Sequence, residues 1–216
     1  MINIAYMGID VQVRQGCSYS VLNEDLMPYD SGWFTSPVEI GDVLIALLKT
    51  FDRIAVGIDA PRCPLTALRQ YYWNGKNWHK RWPSQVGCGR HCEVVIAAFR
   101  LGNPQWTPLA DDCPEWMRVG FSLFSALSKY ADVYEVFPTA SYRQLAQDRG
   151  AQLSISLADF EPSPKDMLDA FVAAFTVHEL LAGRGTEVGG GDGLGTIVLP
   201  RRLPFEEYDV LRWPKS

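Results

Sequence analysis

The stretch Asn3–Gln12, NIAYMGIDVQ, decides how the chain is read. Apolar residues lead up to Gly8 and Ile9, and Asp10 follows where a buried strand is expected to end. RIAVGIDAP (Arg53–Pro61) repeats this grammar and sets Asp59 just beyond its apolar run. A third stretch, SPKDMLDAFVAAF (Ser163–Phe175), has helical spacing and carries Asp166 and Asp169 three residues apart. Residues at that spacing share a helix face, with Cβ atoms about 5–6 Å apart. Two strand ends and one helix face thus offer four acids to one region. Close carboxylates repel unless a proton or cation lies among them, and hard divalent ions prefer oxygen ligands. The pattern predicts a Mg²⁺ or Mn²⁺ site.

Working outward, a length of 216 residues and an ordinary composition predict a globular chain with a substantial core. No apolar run approaches the roughly 18 residues of a membrane helix. The opening MINIAYMGID reads directly as strand, with no basic region like that of a signal peptide. Cys17, Cys63, Cys88, Cys92 and Cys113 are odd in number and irregular in spacing, which predicts reduced thiols in a cytoplasmic protein. The net charge of -5 is uneven. From Ala60 to Arg100 the basic residues Arg62, Arg69, Lys76, Lys80, Arg81, Arg90 and Arg100 face one acid, Glu93, giving +6 there and -11 elsewhere. That asymmetry allows an anionic partner, nucleic acid being the one expected.

In order, strands are expected at 3–10, at Cys17–Leu22 and near Trp33 and Phe34, with a turn at Asn23–Asp25. Ser36-Pro37-Val38-Glu39 reads as a capping box opening a helix to about Phe51. A strand follows from Arg53 to Ile58. Residues 61–114 read as an insertion with a short helix near His91–Leu101. A helix to Lys129, a strand ADVYEVFP (Ala131–Pro138), a short helix over Ser141–Gln147 and a long helix from Ser163 to about Leu181 come next. Thr196–Leu199 suggests a last short strand, and the tail from Pro204 is left unassigned.

This order, with GID (8–10), IDAP (58–61), Arg90-x-Cys92-Glu93 with Arg100, EVFP (135–138) and Lys165-Asp166-x-x-Asp169-Ala170, resembles the domain-of-unknown-function 429 family of predicted ribonuclease-H-like nucleases. The family usually has Asp where Glu93 stands, and its C-terminal signature is represented here only by LGTIVLP (194–200). The resemblance implies one ribonuclease H-like domain over 1–216: a mixed α/β sheet of a three-strand meander plus parallel strands, flanked by helices. It further implies a nuclease in which two metals, about 3.5–4 Å apart, clamp an in-line phosphodiester displacement. Asp10 would bridge the metals, Asp59 would bind one and Asp166 or Asp169 the other, with Glu135 an extra candidate. Lys165 would approach the scissile phosphate or neutralise its neighbours.

Simpler readings compete. Asp166 falls where an acid caps a helix without any metal. Glu135 suits a structural arginine pair. YYWNGKNWHKRW (71–82) interleaves rings and cations as single-strand binders do, or packs its rings on the body. Cys88, His91 and Cys92, with Cys63 or Cys113, hint at zinc, but buried thiols explain them better. At the level of function, the alternatives are a catalytically silent nucleic-acid or protein-binding module and a small-molecule phosphotransferase or phosphatase.

Overall fold

The computed structural model describes residues 2–148 and 164–214. The first strand, β1 (Ile4–Asp10), pairs antiparallel with β2 (Cys17–Leu22), which pairs antiparallel with β3 (Pro28–Phe34). After α1 (Pro37–Leu47), β4 (Arg53–Asp59) returns to lie parallel to β1. The insertion holds a hairpin, β5 (Tyr71–Trp73) and β6 (Trp78–Lys80), then α2 (His91–Ala98). The chain continues through α3 (Glu115–Leu127), β7 (Asp132–Glu135), α4 (Pro138–Gln147), α5 (Pro164–Leu181), the hairpin β8 (Thr186–Gly189) and β9 (Thr196–Leu199), and α6 (Phe205–Asp209). The main sheet has the order β3-β2-β1-β4-β7, and β7 runs parallel to β4. The result is a mixed α/β fold with a five-stranded sheet between helical layers.

The central strands are apolar on both sides because both sides are covered. Met7, Ile9, Val56 and Ile58 pack with Leu44, Leu123 and Leu127 of α1 and α3. Tyr6, Ala55 and Leu22 face the other way, against Phe171, Ala173, Ala174 and Val177 of α5. A third cluster joins α2 to β8 and β9 through Cys92, Val95, Ile96, Val188 and Ile197, and Leu211 of the tail closes it.

Several details differ from expectation. The Ser36 side chain accepts from the Glu39 amide, but the Glu39 carboxylate reaches past Ser36 to the Thr35 amide, at 2.8 Å. The helix ends at Leu47, and Phe51 is buried from the turn that follows. Pro138 starts α4 three residues early, since a proline suits the first helical turn. The hairpin β5–β6, the strand β8 and the helix α6 were not anticipated. The Ser163 cap lies outside the described residues.

Candidate functional site

Asp10 and Asp59 are register partners at the carboxyl ends of two adjacent parallel strands. Side chains alternate across a strand, so Asp10 points with Gly8 and Tyr6, and Asp59 with Gly57 and Ala55, toward α5. Asp169 projects from that helix and is nearly as buried as Asp10, both about 7% exposed. The helix is tied to the meander where Ser18 Oγ, on the residue opposite Asp10, donates to the Asp166 carbonyl at 2.9 Å.

These acids have few donors. Gln12 Nε2 donates to Asp10 Oδ2 at 2.9 Å. No hydrogen bond reaches the Asp59 carboxylate from the described residues. Asp169 is better served: Tyr142 Oη donates to Oδ1 at 2.7 Å and Lys165 Nζ to Oδ2 at 2.5 Å. Burial lifts the Asp10 pKa to about 6; the Gln12 bond opposes this, and the charges of Asp169 and Asp166 add to it. Asp59 is raised well above the usual carboxylate range, first by desolvation and then by Asp10 and Asp169, although its residue surface is only half-buried. Burial and the Asp169 bond also raise Tyr142, which keeps its proton.

The two strand aspartates, the Asp169 carboxylate and the Asp166 charge thus share one region with Lys165, whose side chain is 81% exposed. Among the described residues, no three His, Cys, Asp or Glu side chains form a compact group able to hold an ion in this arrangement. Asp169 is engaged by Lys165 and Tyr142 instead. The chemistry of the set, anionic oxygens in partly desolvated surroundings with one lysine near, still fits a hard divalent ion. A cavity of about 280 Å³ opens beside Asp59, lined also by Trp116, Phe137, Arg90 and Glu135.

Glu135 occupies a different position from the aspartates. It pairs with Ile58 in register, so it emerges on the opposite face from Asp59. There Arg90 Nη1 and Nη2 donate to both its oxygens, at 2.7 and 2.5 Å, and the Arg62 amide adds a third bond at 2.9 Å. Arg90 also donates from Nε and Nη2 to Glu93 Oε1, while Thr107 donates to Glu93 through its amide and hydroxyl. Glu135 therefore serves as a structural counter-ion. Arg90, expected to meet nucleic acid, is 1% exposed and its guanidinium is engaged by Glu93 and Glu135. Removing one member of a buried charged network leaves the others unpaired, at a cost of about 3–5 kcal/mol. Arg90→Ala is expected to lose that much in urea unfolding; a loss below about 1 kcal/mol would contradict the assignment.

The other cations divide. Arg62, Lys76, Lys80 and Arg100 are exposed and Arg81 is half-buried. Arg62 Nη2 donates to the Val133 carbonyl and lies over the Phe124 ring. Arg69 is buried between rings. The aromatic hairpin packs inward: Trp73 meets Trp78, and Trp78 and Tyr71 meet Trp213 of the tail. The glycine-rich turn Gly189–Gly193 between β8 and β9 is anchored to α2, where Asp192 Oδ2 accepts from the His91 amide at 2.7 Å. Gln12, two residues from Asp10 along an extended chain, was findable from sequence. Tyr142 had no sequence signal.

Fold and site define a mixed α/β protein with clustered aspartates at the carboxyl ends of its central parallel strands. Comparison with known proteins finds no significant match, whether to a family model, a curated protein or a solved structure. Among the described residues, no helix is long and apolar enough to cross a membrane.

Proposed function

We propose that the chain is a divalent-metal-dependent nuclease of ribonuclease H-like fold, akin to the family its motifs resemble. The observation that carries this reading is the in-register pair Asp10 and Asp59, with Asp169 facing them from α5. The strand order, an antiparallel meander followed by parallel strands, agrees with such a fold.

Asp10 and Asp59 would hold Mg²⁺ or Mn²⁺, with Asp166 or Asp169 completing the set. Such an ion stabilises charge on phosphoryl oxygens and activates water near neutral pH. Gln12 orients the Asp10 carboxylate, and Tyr142 holds one oxygen of Asp169. The exposed Lys165 ammonium offers positive charge to a phosphate at the same rim. A silent nucleic-acid or protein-binding module is the second reading, favoured by the engagement of Asp169 with Lys165.

Calorimetric titration with Mn²⁺, alongside incubation with labelled single-stranded RNA, single-stranded DNA and branched DNA, tests the first reading. Wild type is expected to bind Mn²⁺ below millimolar and to cut at least one substrate only when metal is added. No heat at millimolar Mn²⁺, with all three substrates intact, favours the silent module.

A further inference from the structure

We propose that the insertion carries a second binding site, centred on Arg69, for a nucleoside monophosphate. The Arg69 guanidinium lies 4.2 Å from the Tyr72 ring centroid and 5.0 Å from that of Trp106, and the residue is only 9% exposed. Its Nε and Nη1 are buried with no acceptor among the described residues. Glu93, the one acid of the segment, is already bound by Arg90 and Thr107. Ring faces offset part of the desolvation of a cation, but a buried guanidinium with unused N–H groups is costly and calls for an anion.

A space lies beside this guanidinium, and Arg69 must turn toward it to bring Nε and Nη1 to an anion. Arg69 borders a cavity of about 580 Å³, walled by Tyr72, Trp73 and Trp106 with Ser84 and Gln85 at its edge. Cavities of roughly 300–1,000 Å³ suit small organic ligands. The walls are held in shape. Tyr72 Oη accepts from the Gly87 amide at 2.7 Å, and Gly89, at φ +98°, lies so near Trp106 that a Cβ there would meet the ring at 2.5 Å. Beside the mouth, Arg81 Nη1 donates to the Gln85 carbonyl, and its Nε is also buried without an acceptor.

This chemistry selects the ligand. Flat ring walls favour a planar heterocycle, and a planar donor fork matches phosphate oxygens. A phosphate monoester, close to a dianion at neutral pH, suits a guanidinium without a carboxylate partner among the described residues better than a single carboxylate does. The cavity shares no lining residue with the one beside Asp59, so the site stands whether or not the aspartates bind metal.

Trp73 and Trp106 make binding visible as a change in tryptophan fluorescence, with calorimetry as a second readout. Adenosine 5′-monophosphate is expected to bind at least about tenfold more tightly than adenosine or inorganic phosphate alone, a gap of roughly 1.4 kcal/mol. Arg69→Met should weaken the nucleotide at least about tenfold while melting at the wild-type temperature or above, and Asp10→Asn should bind it like wild type. If Arg69→Met does not fold, Ser84→Trp decides: it obstructs the exposed mouth and should weaken binding similarly. No binding of the nucleotide at millimolar concentration overturns the proposal. Inorganic phosphate binding as tightly as the nucleotide, or unchanged affinity in the folded variants, also overturns it.

Discussion

Replacing Asp10 by Asn is expected to bring metal-dependent cleavage down to the rate without added metal and, at the same time, to raise the melting temperature of the metal-free protein. Both effects follow from the same burial. Burial lifts the Asp10 pKa to about 6 in the folded chain, from 3.8 for a carboxylate in water. The folded state therefore holds this proton more tightly than the unfolded state. Its stabilising contribution is complete below the unfolded value and is lost as pH rises through about 6. At pH 7.5 the ionised carboxylate costs on the order of 2–3 kcal/mol, which an amide of the same shape avoids. Gln12 Nε2 can still donate to the Asn oxygen. For a chain of this length the gain corresponds to about 4–12 °C. The comparison is best made in EDTA at pH 7.5 and pH 4: the advantage of the variant should be large at the first and nearly absent at the second. Asp59→Asn should act in the same direction, because burial and the Asp10 charge also raise Asp59. A lower melting temperature at pH 7.5 would make Asp10 a structural acid; unchanged cleavage would remove it from the site.

How far the site was legible follows from how local each signal is. The run of apolar residues ending in Asp recurs at Asp10 and Asp59 because a strand buried on both faces needs such a run and its end admits a polar group. Two such strands lying parallel in one register then bring the acids together. The helix acids were legible from their spacing alone. Glu135 was legible as a partner for an arginine, but not for Arg90, which lies forty-five positions away and was expected to meet an anionic partner instead. The aromatics of residues 71–82 were ambiguous for the same reason: the ring that covers them, Trp213, belongs to the tail that sequence could not assign. The strand β8, four residues ending in glycine, lacks a periodic signal of its own and depends on β9 for its pairing.

Gly8→Ala is expected to be the most damaging methyl group added at any of the described glycines. A Cβ at Gly8 would stand 1.9 Å from the Ala170 carbonyl oxygen and 2.4 Å from the Ala174 amide nitrogen. These are backbone atoms of α5, so no side chain can swing aside and the helix itself must move. Extra methyl groups in packed cores usually cost about 1–3 kcal/mol; a contact this short against backbone should exceed about 4 kcal/mol or prevent folding. A control lies in the same chain. Gly41, inside α1, has nothing within 4 Å of its added Cβ, so Gly41→Ala should be neutral or stabilise by up to about 1 kcal/mol through helix propensity. The site should register the damage too. Gly8 lies two residues before Asp10, and the turn of α5 it contacts follows directly on Asp169, so helix displacement carries Lys165 and Asp169 away from the strand aspartates. Whatever fraction of Gly8→Ala folds should bind Mn²⁺ more weakly than wild type, whereas Gly41→Ala should bind it equally well. Urea unfolding of the two variants, followed by Mn²⁺ titration of the soluble protein, measures both effects. A Gly8→Ala protein within about 1 kcal/mol of wild type would mean that α5 does not rest on β1 as closely as described, and the approach of Asp169 to Asp10 would lose its support.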